Sequence, residues 1–172
     1  MPDPQVTNTD ADLNGATLVL VSDLQVVADA DGNFASGSAT IPVDDTIPQI
    51  TEGTEFLSAT ITPVLATSVL RLDVTFIGTV DTAFRNLIVC LFKQGTADAL
   101  AVAVVGIDSA SANFFRTVSF SYSIAAGSTS PQTFSVRAGV ETSGTVSMNG
   151  VLGSRYFGGA LASSLRITEI PA

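Results

Sequence analysis

Apolar and polar positions alternate along most of this chain, and the alternation has a period of two. Leu70, Leu72, Val74 and Phe76 are interleaved with Arg71, Asp73 and Thr75, the clearest amphipathic strand of the first half. Residues 117–124 alternate strictly, with Val118, Phe120, Tyr122 and Ile124 on one side and Thr117, Ser119, Ser121 and Ser123 on the other. Near the end of the chain, Leu165 and Ile167 face one way while Arg166 and Thr168 face the other. Further strands are expected over Phe56–Thr62, Ala99–Val105, Thr133–Val140 and Thr145–Met148, spaced about a dozen residues apart. Asn86–Lys93 is apolar on both faces, which predicts a central strand buried between two sheets.

Thr17–Val21 and Leu24–Val27 also read as strand, with a turn at Asp29–Asn33. Pro42 and Pro48 punctuate a polar crossing from Ser36 to Gln49, which belongs on an edge or wrapped over the surface because proline lacks a backbone donor. Asn149-Gly150 introduces a glycine-hinged hairpin before the closing strand. Sustained i, i+3, i+4, i+7 spacing is missing, so helices are expected to be short or absent. The pattern predicts an all-β fold: an antiparallel, jelly-roll-like β-sandwich with an extended N-terminal arm. An acidic arm and docking segment is expected over residues 1–40, and the jelly-roll module over 41–172.

Composition narrows what such a sandwich can do. Hydrophobic residues make up 46% of the 172 and charged residues only 13%, which is incompatible with a disordered chain. The chain has no His, and so lacks the usual general base, triad partner and transition-metal ligand. The expectation is therefore a protein that is not an enzyme. Cys90 stands alone among apolar neighbours, which predicts a buried, unreactive thiol and no intrachain disulfide. No secretory signal is expected from the N-terminus, and the longest apolar run, Ala99–Ile107, is too short to span a bilayer as a helix. Ten of the sixteen acidic residues fall within residues 1–70, which contain no Lys or Arg; all seven basic residues lie at or beyond Arg71. With a net charge of −9 carried by its N-terminal part, the chain is expected to repel nucleic acid. That acidic stretch reads either as a solvated face or as a docking arm for a basic partner surface.

Few candidate sites emerge. Asp29, Asp31 and Asn33 alternate like the start of a calcium loop, but Gly32 is misplaced and no distal Glu follows, so turn chemistry accounts for them. Asp44-Asp45 and Glu52 with Glu55 are the available carboxylate pairs, and they flank Pro and Gly in connections where solvated side chains are expected. Ser and Thr are abundant but have no activating base, and Lys93, the only lysine, sits at a strand end. Phe134, Val136 and Ala138 point to one face and Arg137 to the other. No Walker, zinc or dinucleotide motif is present, so no cofactor is expected.

An ordered set of short motifs carries a resemblance. Ile41-Pro42-Val43-Asp44-Asp45-Thr46-Ile47-Pro48-Gln49, Thr51-Glu52-Gly53, Ile61-Thr62-Pro63, Phe134-Ser135-Val136-Arg137-Ala138-Gly139 and Ser154-Arg155-Tyr156-Phe157-Gly158-Gly159 appear in that order. So arranged, roughly residues 40 to 170 resemble a β-rich module of tailed-bacteriophage virion proteins. The resemblance implies a non-enzymatic jelly-roll homotrimer of the tumour-necrosis-factor-like type, located in the virion. Phe134, Arg137, Tyr156 and Phe157 are its trimer-interface candidates: Arg137 to meet a neighbour's acid, Tyr156 and Phe157 to pack at the axis or in the protomer's own core. The implied role is a capsid decoration or cement protein docked on the major capsid protein. A fibre tip that binds a host receptor is the alternative, with no nucleic acid and no membrane involved. A carbohydrate-binding module, an unrelated trimeric ligand and a depolymerase using Asp44 or Glu52 are the remaining readings.

Overall fold

In the computed structural model, which describes residues 23–106 and 112–172, two antiparallel sheets face each other around one core. The strands are β1 (Gln25–Asp31), β2 (Ala35–Gly37), β3 (Thr54–Ile61), β4 (Val69–Val80), β5 (Asn86–Lys93) and β6 (Ala101–Gly106). They continue with β7 (Arg116–Ala125), β8 (Gln132–Gly139), β9 (Val146–Met148), β10 (Gly150–Val151), β11 (Ser154–Arg155) and β12 (Ser163–Ile170). One sheet runs β1-β12-β4-β9-β2, with β7 on the other edge of β4. The second runs β3-β8-β5-β6, and β10–β11 form a separate hairpin. Among the described residues the only helical element is the 3-10 turn Phe157–Gly159. The all-β, jelly-roll-like sandwich expected from the alternation is the fold observed.

The alternating residues explain the core directly. Leu70, Leu72, Val74 and Phe76 of β4 lie against Leu165 and Ile167 of β12 on one side of it, and Leu57, Ile61, Leu87, Val89, Leu91 and Val136 come from the facing sheet. A bulge between Glu55 and Leu57 breaks the β3–β8 register. Next to it, Phe56 meets Phe76 edge-on, with ring centroids 5.3 Å apart. Burying these side chains contributes roughly 1.5–3 kcal/mol each, which is the main force closing the sandwich.

β5 departs from expectation in an informative way. It does not lie between two sheets; it is an inner strand of one sheet, hydrogen-bonded to β8 and β6. Leu87, Val89 and Leu91 enter the sandwich core, while Ile88, Cys90 and Phe92 on the reverse face join Ile41 in a second cluster flanked by Ile50 and Ala99. The Pro-punctuated crossing covers that reverse face as a strap. It is fastened by Ile41 N–H to the Val140 carbonyl, Gly53 N–H to Thr40 and Ala99 N–H to Pro48. At Gly139 an added Cβ would lie 2.6 Å from the Ala39 carbonyl, so only glycine lets the strap sit this close to the sheet.

Residues on the N-terminal side of residue 41 also contribute strands to the sandwich. β1 pairs with β12 over seven residues and β2 pairs with β9, so the sandwich already includes Gln25. The expected strand at Thr17–Val21 and most of the acidic arm lie outside the described residues.

Candidate functional surface

The carboxylates named from the sequence do not converge. Asp44 accepts the Thr46 N–H at 2.8 Å in an exposed turn of the strap, and this and a bond from the Thr46 hydroxyl hold its carboxyl below the usual range. Glu52 accepts the Gln49 N–H at 2.9 Å, and Glu55 pairs with Arg137 at 3.2 Å. Among the described residues no group of three or more His, Cys, Asp or Glu is placed to hold a metal ion. Asp31 accepts the Asn33 N–H, the turn chemistry expected of that segment. Burial pushes the Cys90 thiol up to about 12, with the Glu52 charge adding to the shift, so the thiol stays protonated and inert.

The interface candidates are scattered. Phe134 is fully buried in the protomer's own core, so its ring is not available to a neighbouring subunit. Phe134, Val136 and Ala138 do share one face, and that face is the core. Arg137 lies on the opposite face, as expected, and its guanidinium is used within the chain: Nε donates to the Glu52 carbonyl and Nη2 to the Gly53 carbonyl, both at 2.9 Å. With Glu55 as its ionic partner, Arg137 clamps the strap within its own chain. Tyr156 and Phe157 are outside the core, 42% and 73% exposed. They continue an edge-to-face run from Phe115, with centroids 5.6 and 6.1 Å apart, at the end of the sandwich that also carries exposed Phe114 and Leu152. Phe157 and Leu152 both have left-handed backbones, φ 53° and 49°, a conformation that side chains of their size adopt only under local constraint.

The most distinctive surface is one the sequence reading did not single out. Among the described residues β6 and β7 are the last strands of their respective sheets, and they lie beside each other at one seam. Val102 and Val104 on β6 point outward, 43% and 54% exposed, while Ala101, Ala103 and Val105 pack inward. β7 exposes Thr117, Ser119, Ser121, Ser123 and Ala125 on its outer face. Natural edge strands are usually guarded by charge, proline or a bulge. β6 has none of these, and β7 has one charge, Arg116 at its first residue. The signal was present in the sequence as an uncharged run of Val and Ala.

At the opposite seam, Glu169 is fully buried and accepts hydrogen bonds from Ser68 Oγ (2.6 Å), Leu65 N–H (3.0 Å), Val64 N–H (2.9 Å) and Gln25 Nε2 (2.6 Å). Burial pushes its carboxyl up, and these four donors more than offset that, holding it down to about 2. It is a structural ion with its acceptor sites filled.

Comparison with known proteins gives two matches. Among curated proteins, none matches the chain. A solved structure described as the EclA C-terminal domain, a sugar-binding protein, is similar at 18% identity and a TM-score of 0.38, with 83% of this chain and 87% of that chain covered. Residues 38–171 match the family described as the Pgp3 C-terminal domain, from the strap through the last residues of the closing strand. By that match the chain belongs to the Pgp3 C-terminal domain family.

Proposed function

We propose that this chain is a non-enzymatic structural module that assembles as a homotrimer through the β6–β7 seam. The observation that carries this reading is edge strand β6, uncovered among the described residues, with Val102 and Val104 facing out beside β7. An apolar edge of that kind is an aggregation hazard unless another copy covers it. A closed rotational arrangement covers every copy equally and stops growth. Static light scattering tests this: the expected mass is three times 17.6 kDa, and a stable monomer at micromolar concentration overturns it.

For its setting we propose the virion, as a decoration protein seated on the major capsid protein. This rests on the resemblance of residues 40–170 to phage virion modules; the family's own name refers to Chlamydia. A receptor-binding fibre tip is the second reading, and the aromatic run Phe115–Tyr156–Phe157 favours it, because its exposed end, with Phe157 on a left-handed backbone, makes a contact surface. Particles lacking a decoration protein should rupture at lower temperature yet still adsorb to cells, whereas particles lacking a tip should be sturdy and fail to adsorb.

A further inference from the structure

The outward face of the β3-β8-β5-β6 sheet is not smooth. Between the strap and the ends of β3 and β8 lies a cavity of about 160 Å³, walled by Ile50 and Gln94 and floored by Ser58, Thr133, Ser135, Glu55 and Arg137. The register builds it: Ser58 sits directly across from Ser135 and Thr60 across from Thr133, so hydroxyls of two strands share one face. Arg137 is held by three bonds, to the carbonyls of Glu52 and Gly53 and to Glu55 Oε2. Thr133 is tied to the Thr60 hydroxyl at 2.8 Å.

The remaining polar groups are unused. Among the described residues no hydrogen bond engages the Ser58 or Ser135 hydroxyl, the side-chain amide of Gln94 or Oε1 of Glu55, and all four residues border the same cavity. Two guanidinium N–H groups of Arg137 are likewise left over once its three bonds are counted. The site therefore offers fixed donors and acceptors side by side, with Ile50 as one apolar wall. Glu55 and Arg137 neutralise one another, which disfavours an anion or a cation. The volume is well below the roughly 300–1,000 Å³ of sites for drug-sized ligands, so the occupant is small.

We infer that this cavity binds one small neutral polyol, a single sugar ring with adjacent hydroxyls. A vicinal diol gives and accepts hydrogen bonds at neighbouring atoms, which is what a carboxylate oxygen, a guanidinium edge, an amide and two hydroxyls can match together. Arg137 arrives already anchored, so little ordering is required on binding. The inference concerns the protomer alone and holds whether or not three copies assemble.

The test is a titration of the full ¹⁵N-labelled chain with glucose, galactose, mannose and fucose separately at tens of millimolar, with inorganic phosphate as the charged control. Saturable shifts of the Ser58, Gln94, Thr133 and Ser135 amides are expected with at least one sugar and not with phosphate. The double variant Ser58→Ala/Ser135→Ala, checked for an unchanged melting temperature, should weaken that binding by about tenfold or more. If the double variant fails to fold, Gln94→Ala, on the exposed rim, serves for the same comparison. The inference is overturned if no sugar moves those amides, if phosphate moves them equally, or if the shifts persist undiminished in the variants.

Discussion

Along the seam between β1 and β3 the two sheets are stitched together, whereas along the seam between β6 and β7 no side-chain hydrogen bond joins them among the described residues. At the first, Asp29 Oδ2 accepts the Ser58 N–H at 3.0 Å, Gln25 donates to the Thr62 carbonyl at 2.7 Å, and buried Glu169 gathers the 64–68 connection onto the closing strand. At the second, the outer side chains are Val, Ala, Ser and Thr. An edge finished with side-chain bonds to its own chain needs nothing further. An edge like β6, with exposed valines and no charge, is the kind that invites a covering partner. On the proposed assembly, this asymmetry separates what holds the protomer together from what it presents to its copies.

Breaking the stitched seam at Glu169 should have the largest effect. Glu169→Ala removes an ionised acceptor from four donors and strands the Val64 and Leu65 N–H groups, at a cost of about 3 kcal/mol or more in chemical denaturation. The mass of the assembly below its unfolding transition should not change. A loss under about 1 kcal/mol would mean that water satisfies those donors and that the stitching is dispensable.

The same residue fixes the acid limit. Its folded value of about 2 lies below the ordinary 4.5, so its contribution is fully present above about pH 4.5 and drains away as the pH falls towards 2. Glu169→Gln should flatten that part of the stability–pH curve while lowering stability at neutral pH. An unchanged acid limb in this variant would assign acid sensitivity to other carboxylates, among them Asp81. Burial raises Asp81, and bonds from Thr145 and Thr82 outweigh that to lower its carboxyl as well.

The open seam should respond in the opposite manner. Val102→Asp with Val104→Asp places two charges per copy on the unguarded edge, and light scattering should then report monomer. Protomer stability should shift by no more than about 1 kcal/mol, because both side chains already face outward. An oligomer that survives the double substitution would move the interface elsewhere, with the Tyr156–Phe157 end the next surface to test.

The two seams also differ in how far the sequence discloses them. β4, β7 and β12 could be read from their alternation because each puts its apolar residues on the core face and polar ones such as Asp73, Ser121 and Arg166 on the other. The alternation of Phe134 was equally clear, but a period of two cannot say whether its face meets the protomer's own core or a neighbour. Residues 86–93 read as buried on both sides, without any sign that a Pro-rich strap, and not a second sheet, supplies the second cover. Glu169 could not be recognised, since Thr168-Glu169-Ile170 looks like any strand end and the carboxyl's partners lie between 101 and 144 residues away. Asp29 was assigned to a turn with Asp31, although it stands inside β1 opposite Leu165 and reaches across to the other sheet.

That last contact provides the finest probe of the stitched seam. The Ser58 N–H donates to Asp29 Oδ2 at a partly solvated edge, where water can replace a lost acceptor. Asp29→Ala should therefore cost only about 1 kcal/mol, far less than the loss at Glu169. Hydrogen exchange should show faster exchange at the Ser58 amide, with amides of central β4 unaffected, since opening one stitch frays the seam without unfolding the core. The oligomer mass should again be unchanged, because β1 and β3 lie across the sandwich from Val102 and Val104. If Asp29→Ala instead dissociated the assembly, the stitched seam would itself be part of the contact between copies, and the division of labour between the two edges would fail.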